Sequence, residues 1–256
     1  MSKPGSFKTK LRSFIPRRVG NRVVAGFLGF SRALGRPFTV KGAKKTADNK
    51  TNILKHFSDI KRTNGYIEDQ NSYTDVRYGA KTMQYSGCGV FAVYNALINL
   101  HGYPDYQDKM TSPVGDKIMI NYSVPMSCAV MLSELILEFE RNGIVFSGNL
   151  GTDPGAINKY FMKKGYETVI SYKAADFDRI GEQFDTLILI MYNDRTDIMQ
   201  NVHFINISKE KDMFTAHNVY CNGYVFPPKK SVTETIGSFY EGRSKGICLI
   251  GIRKKL

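Results

Sequence analysis

The first 47 residues contain no aspartate or glutamate. That absence accounts for the chain's formal charge of +13. The segment holds 12 of the 36 Lys and Arg residues, leaving 24 bases against 23 acids in the remainder. The basicity therefore belongs to an N-terminal tail, and the globular part is near neutral. No recognised nucleic-acid motif accompanies it, so nucleic acid is not expected as a partner. Cysteine is also scarce. Cys88, Cys128, Cys221 and Cys248 are widely spread, with no C-x-x-C pair and no histidine at zinc-site spacing. This argues against a disulfide framework or a structural metal, and for a reducing compartment. Long hydrophobic runs are missing. The apolar stretch at 23–30, within "VVAGFLGFSRALG", is far short of a membrane span. It follows 22 residues of basic sequence and lacks a small-x-small cleavage site, so a secretory signal is not expected. The expected location is cytoplasmic, with peripheral membrane contact through the tail as one option.

What is present suits one domain with an appendage. Apolar residues make up 42% of the 256, and 16 Phe with 15 Tyr argue against disorder across most of the chain. The tail, residues 1–47, carries Pro4, Pro16, Pro37 and six glycines, which disfavour a continuous helix, although 21–34 could form a short amphipathic one. It reads either as a solvated arm or as a contact for an anionic membrane surface or acidic partner. "KKTADNK" at 44–50 reads as a charged linker, and the globular domain as 48–256.

Within that domain residues 88–101 are apolar nearly all round, the pattern of a centrally buried helix. A second helix is expected at 127–142, opened by Ser127 and closed by Gly143. A third follows at about 154–164, with Asp153 as cap, Pro154 first and Gly165 as stop. The period then shifts towards two. "ETVISY", "TLILIMY", "NVHFINI", "MFTAHNVY" and "GICLIGIRK" read as five strands. "SKEKD" at 208–212 reads as a hairpin loop, and short helices are expected at about 176–184 and 231–240. Helices first and an antiparallel sheet after them make an α+β domain.

Cys88 sits between Gly87 and Gly89 where the buried helix begins. Unsatisfied N–H groups and the helix dipole favour a thiolate there, and the flanking glycines leave the sulfur open to a substrate carbonyl. The alternative is a small hydrophobe in the core. His203 shares a strand face with Ile205 and Ile207, a pattern more often met in a hydrogen-bonded core histidine than in a base. If the 208–212 loop reverses the chain, Asn218 returns beside it. Its amide oxygen could then accept the imidazole N–H, giving the nucleophile, base and orienter that thiol catalysis needs. Gln84, four residues before Cys88, could join the Cys88 N–H in an oxyanion hole. His217 falls on the opposite strand face from Asn218 and is read as surface or structural. His101 reads as a helix cap, His56 as part of an exposed helix, and Cys128, Cys221 and Cys248 as packing residues.

"MQYSGCGVFAVYNAL" followed by "VHFINISKEKDMFTAHNVY" resembles the papain-like cysteine peptidases, closest to the branch of bacteriocin-processing, double-glycine-leader peptidases. The resemblance covers about 50–256. It implies a papain-like fold, Cys88 as nucleophile, His203 as general base and acid, Asn218 as orienter, Gln84 in the oxyanion hole, and a peptide or protein substrate. Gly87 stands where the leader peptidases carry Asp, and Asn218-Val219 where they carry Asp-Pro, so cleavage at a double glycine is not carried over. No metal or organic cofactor is implied. The expected activity is hydrolysis of a peptide or isopeptide bond through an acyl-thioester. The alternatives are acyl or peptidyl transfer, or a catalytically silent binding module docked through its tail.

Overall fold

The structure is a computed structural model that describes residues 43–57, 65–104, 107–111, 117–121, 123–192, 202–219, 226–239 and 242–255. Most of the basic tail, including its 21–34 segment, and Cys221 lie outside the described residues. Along the chain come α1 (Ala43–His56), the two-residue strands β1 (Arg77–Tyr78) and β2 (Lys81–Thr82), α2 (Met83–Ser86) and α3 (Cys88–His101). The hairpin β3 (Gln107–Thr111) and β4 (Lys117–Asn121) follows, then α4 (Val124–Asn142), α5 (Pro154–Lys163), β5 (Glu167–Ser171), α6 (Phe177–Gln183) and β6 (Thr186–Tyr192). The chain ends with β7 (Val202–Glu210), β8 (Met213–His217), α7 (Val232–Gly237) and β9 (Lys245–Arg253).

The main sheet is antiparallel in the order β5-β9-β6-β7-β8. Its central strand, β6, is the unbroken apolar run "TLILIMY", and every residue in it is buried. A strand of that composition needs cover on both faces, and it has it. Ile188, Ile190 and Tyr192 pack into the cluster containing α3 and α4, whereas Leu187, Leu189 and Met191 pack with Phe177, Ile180 and Val232 of α6 and α7. Helix α3 is the hub of the first layer. Val90, Phe91, Ala92, Val93, Tyr94 and Ala96 are all inaccessible to solvent, at roughly 1.5–3 kcal/mol for each of the larger side chains removed from water. It lies across β7 and β6, with α4 and α5 against its other sides. Gly102, at φ +72, ends it. This is an α+β protein, and among the described residues no helix is long and apolar enough to cross a membrane.

Three expectations need correction. The stretch 44–50 is not a linker, because α1 runs through it. Residues 43–56 contain neither Gly nor Pro, Ile53 is fully buried, and Asn49 closes a pair of bonds with the backbone of Arg77 (Nδ2 to O 2.9 Å, N to Oδ1 2.8 Å). The boundary at 47/48 therefore falls inside a helix. Secondly, 208–212 is mostly strand. Residues 208–210 continue β7, paired with Thr215, Phe214 and Met213. Only Lys211 and Asp212 turn, at φ +46 and +63, the doubly positive combination of a tight hairpin that matches strand twist. Thirdly, His101 does not cap α3, since its Nε2 bonds the Tyr166 hydroxyl.

Candidate functional site

Cys88 is the first residue of α3 and is 8% exposed. The flanking glycines serve close packing. A Cβ on Gly87 would stand 2.6 Å from the Met83 carbonyl oxygen, and one on Gly89 would stand 2.7 Å from Thr152 Cβ. Tyr78 lies nearby, sharing a 2.9 Å hydrogen bond with Thr152 Oγ1. Burial pushes its phenol well above the ordinary value, the Thr152 bond opposes that, and the charges of Glu140 and Cys88 add to it. Gln84 stands four residues before Cys88 on α2, half-buried. Its N–H donates to the Tyr73 carbonyl (3.1 Å), and its own carbonyl accepts from Gln70 Nε2 (2.8 Å).

His203 is 1% exposed, near the start of β7. Its Nε2 lies 2.6 Å from the backbone carbonyl oxygen of Asn218. A carbonyl can only accept, so Nε2 carries the proton and Nδ1 holds the basic lone pair of the neutral ring. Burial lowers the imidazole pKa from 6.5 to about 4, partly offset by the Asn218 bond, so the ring is neutral at pH 7. The expected bond from the imidazole to the Asn218 amide oxygen is replaced by this backbone contact. The cause is conformational. Asn218 has φ +63, which takes it out of the strand and swings its side chain to Gln70. There Oδ1 accepts from the Gln70 N–H (3.1 Å) and Nδ2 donates to Gln70 Oε1 (3.0 Å).

The same departure bears on His217, which is 3% exposed, so of the two readings, surface or structural, only the structural one stands. Because alternation stops at Asn218, His217 and Asn218 meet one carboxylate. Glu68 Oε1 lies 2.7 Å from His217 Nδ1, and Oε2 accepts the Asn218 N–H at 3.0 Å. His217 Nε2 is 2.8 Å from Ser208 Oγ, and the Tyr66 ring stacks on it with centroids 3.7 Å apart.

Gln84, Gln70, Asn218 and His203 thus form one hydrogen-bonded chain, with Cys88 attached through the backbone four residues beyond Gln84. The side-chain directions divide it. Along β7, Val202 and Phe204 face the layer of α3, while Ile205 and Ile207 face α6 and α7. His203 alternates with the second series and pairs across the sheet with Met191, which also faces α6 and α7. Glu68 and Gln70 carried no signal in the sequence, since "GYIEDQNSY" has neither period nor motif. Cys128 and Cys248 are packed inside, and burial raises both thiols, Cys248 to about 12. Among the described residues no cluster of His, Cys, Asp and Glu could hold a metal ion. No family model, curated protein or solved structure matches the chain.

Proposed function

We propose that the chain is a cysteine-dependent hydrolase of papain-like fold, cleaving a peptide or isopeptide bond through an acyl-thioester. Cys88 is the nucleophile, His203 the base, Asn218 the orienter and Gln84 a donor to the oxyanion. The observation that supports this reading most is the Nε2–H bond of His203 to Asn218, which fixes the tautomer with the basic lone pair on Nδ1, on a strand that α3 crosses, although the ring itself is turned towards α6 and α7. For the reaction the His203 ring has to turn to the Cys88 side of the sheet, where Nδ1 takes the thiol proton as sulfur bonds the carbonyl carbon. The resulting oxyanion is held by the Cys88 N–H and the Gln84 amide, a kind of donor worth about 3 kcal/mol of barrier. Collapse breaks the C–N bond, and the leaving amine takes the proton from the imidazolium. Water, deprotonated by Nδ1, then releases the acid. Asn218 acts through its carbonyl, so its amide is not needed at the imidazole. An amine in place of water makes the same site a transferase.

The test is alkylation of Cys88 by iodoacetamide as a function of pH, read by mass spectrometry, in wild type and His203→Ala. A thiolate–imidazolium pair predicts rapid labelling below about pH 6 that is lost in the variant. Labelling that rises only near the free-thiol pKa of about 8.5, unchanged by the substitution, refutes the proposal.

One observation favours a second reading. The alternation that turns His203 towards α6 and α7 suits a silent papain-like module, in which Cys88 and His203 are both present but set on opposite faces of the sheet. Such a module would dock through the basic tail to an anionic membrane or an acidic partner, and the same titration would return an ordinary thiol.

A further inference from the structure

Asn218 has four hydrogen-bonding groups, and all four are engaged. Its N–H donates to Glu68, its carbonyl accepts from His203, and its amide oxygen and nitrogen are both taken by Gln70. It also holds φ +63, a conformation that costs a non-glycine residue free energy and persists only where its surroundings over-determine it. Glu68 is the part of that surround that grips the backbone itself. The N–H it holds and the carbonyl that orients His203 belong to the same residue, so the direction of that carbonyl depends on the grip. The second carboxylate oxygen is anchored on His217, which Tyr66 and Ser208 pin in turn. The segment carrying Glu68 is itself fixed to α3, because Asn95 bonds both the N–H (2.8 Å) and the carbonyl (2.9 Å) of Ile67. The helix that Cys88 opens therefore connects to the His203 tautomer through Asn95, Ile67, Glu68 and Asn218.

We propose that Glu68 is the positioning residue of this site: its carboxylate fixes the left-handed turn at Asn218, and through that turn sets which nitrogen of His203 is the base. The proposal rests on the hydrolase reading for its functional meaning, but its structural content is testable separately. What Asn218 requires of Glu68 is an acceptor rather than a charge, so glutamine can substitute where an apolar residue of similar size cannot.

The experiment records long-range proton–nitrogen NMR spectra of the His203 ring in the full-length chain, wild type, Glu68→Gln and Glu68→Met, with Ser208→Ala as a control that touches His217 but not Asn218. The expected result is the Nε2–H tautomer in wild type, in Glu68→Gln and in Ser208→Ala, and a mixture of tautomers in Glu68→Met. Cys88 labelling at pH 6 should fall about tenfold in Glu68→Met and largely recover in Glu68→Gln. An unchanged tautomer in Glu68→Met overturns the proposal. Should that variant not fold, amide exchange in wild type decides, because an Asn218 N–H that exchanges as fast as an open loop is not held by Glu68. A tautomer shift alongside an ordinary wild-type thiol keeps the positioning role and sinks the hydrolase. An activated thiol with no shift does the reverse.

Discussion

Acid should destabilise this protein through His203 in a way that a single substitution isolates. The unfolded chain binds a proton on this imidazole near 6.5, whereas the buried ring takes one only near 4. Between those values the unfolded state holds more protons, so stability falls as pH drops from about 6.5 to about 4 and loses nothing more to this group below that. At about 1.4 kcal/mol per pH unit the interval amounts to about 3 kcal/mol, a large share of a typical domain's stability. The assay is urea unfolding at intervals from about pH 7.5 to about pH 3.5, wild type against His203→Leu. Leucine suits a position in line with Ile205 and Ile207, and its loss of the Asn218 bond is the same at every pH. Other carboxylates and histidines titrate in both proteins and cancel. Wild type should therefore be the more stable at neutral pH by a margin that shrinks by about 3 kcal/mol on acidification. Parallel curves would refute the reasoning. Curves that move apart, with wild type gaining on the variant in acid, would mean that the imidazolium has an anionic partner, and the thiolate of Cys88 would be the first to examine.

Gly89→Ala should lower the thermal midpoint even though alanine favours helix by about 1 kcal/mol. Its Cβ would meet Thr152 Cβ at 2.7 Å and Oγ1 at 2.9 Å, and Thr152 is fully buried and bonded to Tyr78, so overpacking of about 1–3 kcal/mol should prevail. A raised midpoint would mean that the start of α3 can slide away. Asn95→Leu strips both bonds from the buried backbone of Ile67 and should cost about 2–4 kcal/mol in urea unfolding, with faster amide exchange at Ile67. Unchanged exchange there would show that the 65–70 segment is held without α3.

The elements most legible in the sequence were those whose residues leave one answer. "TLILIMY" is too apolar for a half-exposed strand, and β6 is covered on both sides. Asp153, Pro154 and Gly165 bound α5 as expected, with the Asp153 carboxylate accepting the Gly155 N–H at 3.1 Å. Charge misled where tertiary contact decided. "KKTADNK" looks like solvent-loving linker, yet a side-chain amide pairing with Arg77 continues the helix through it. "SKEKD" looks like a loop because three of its residues are polar strand, and the two that turn are recognisable only by their positive φ. The hairpin of β3 and β4 adds two strands to the five that the sequence pattern predicts.

For the candidate site, the sequence points to His203 and Asn218 as neighbours but not to the atoms that join them. An asparagine after a hairpin from a histidine suggests an amide facing an imidazole, yet every residue type offers the carbonyl that His203 uses here. What selects asparagine at 218 is then different. It tolerates the left-handed region better than most residues, and its amide matches Gln70 donor to acceptor and acceptor to donor. Those partners lie 148 residues away, and Glu68 lies 150 away, in a stretch with no pattern to mark it. The identity of residue 218 therefore reports how the turn is held, and the chemistry of His203 follows from the backbone that the turn presents.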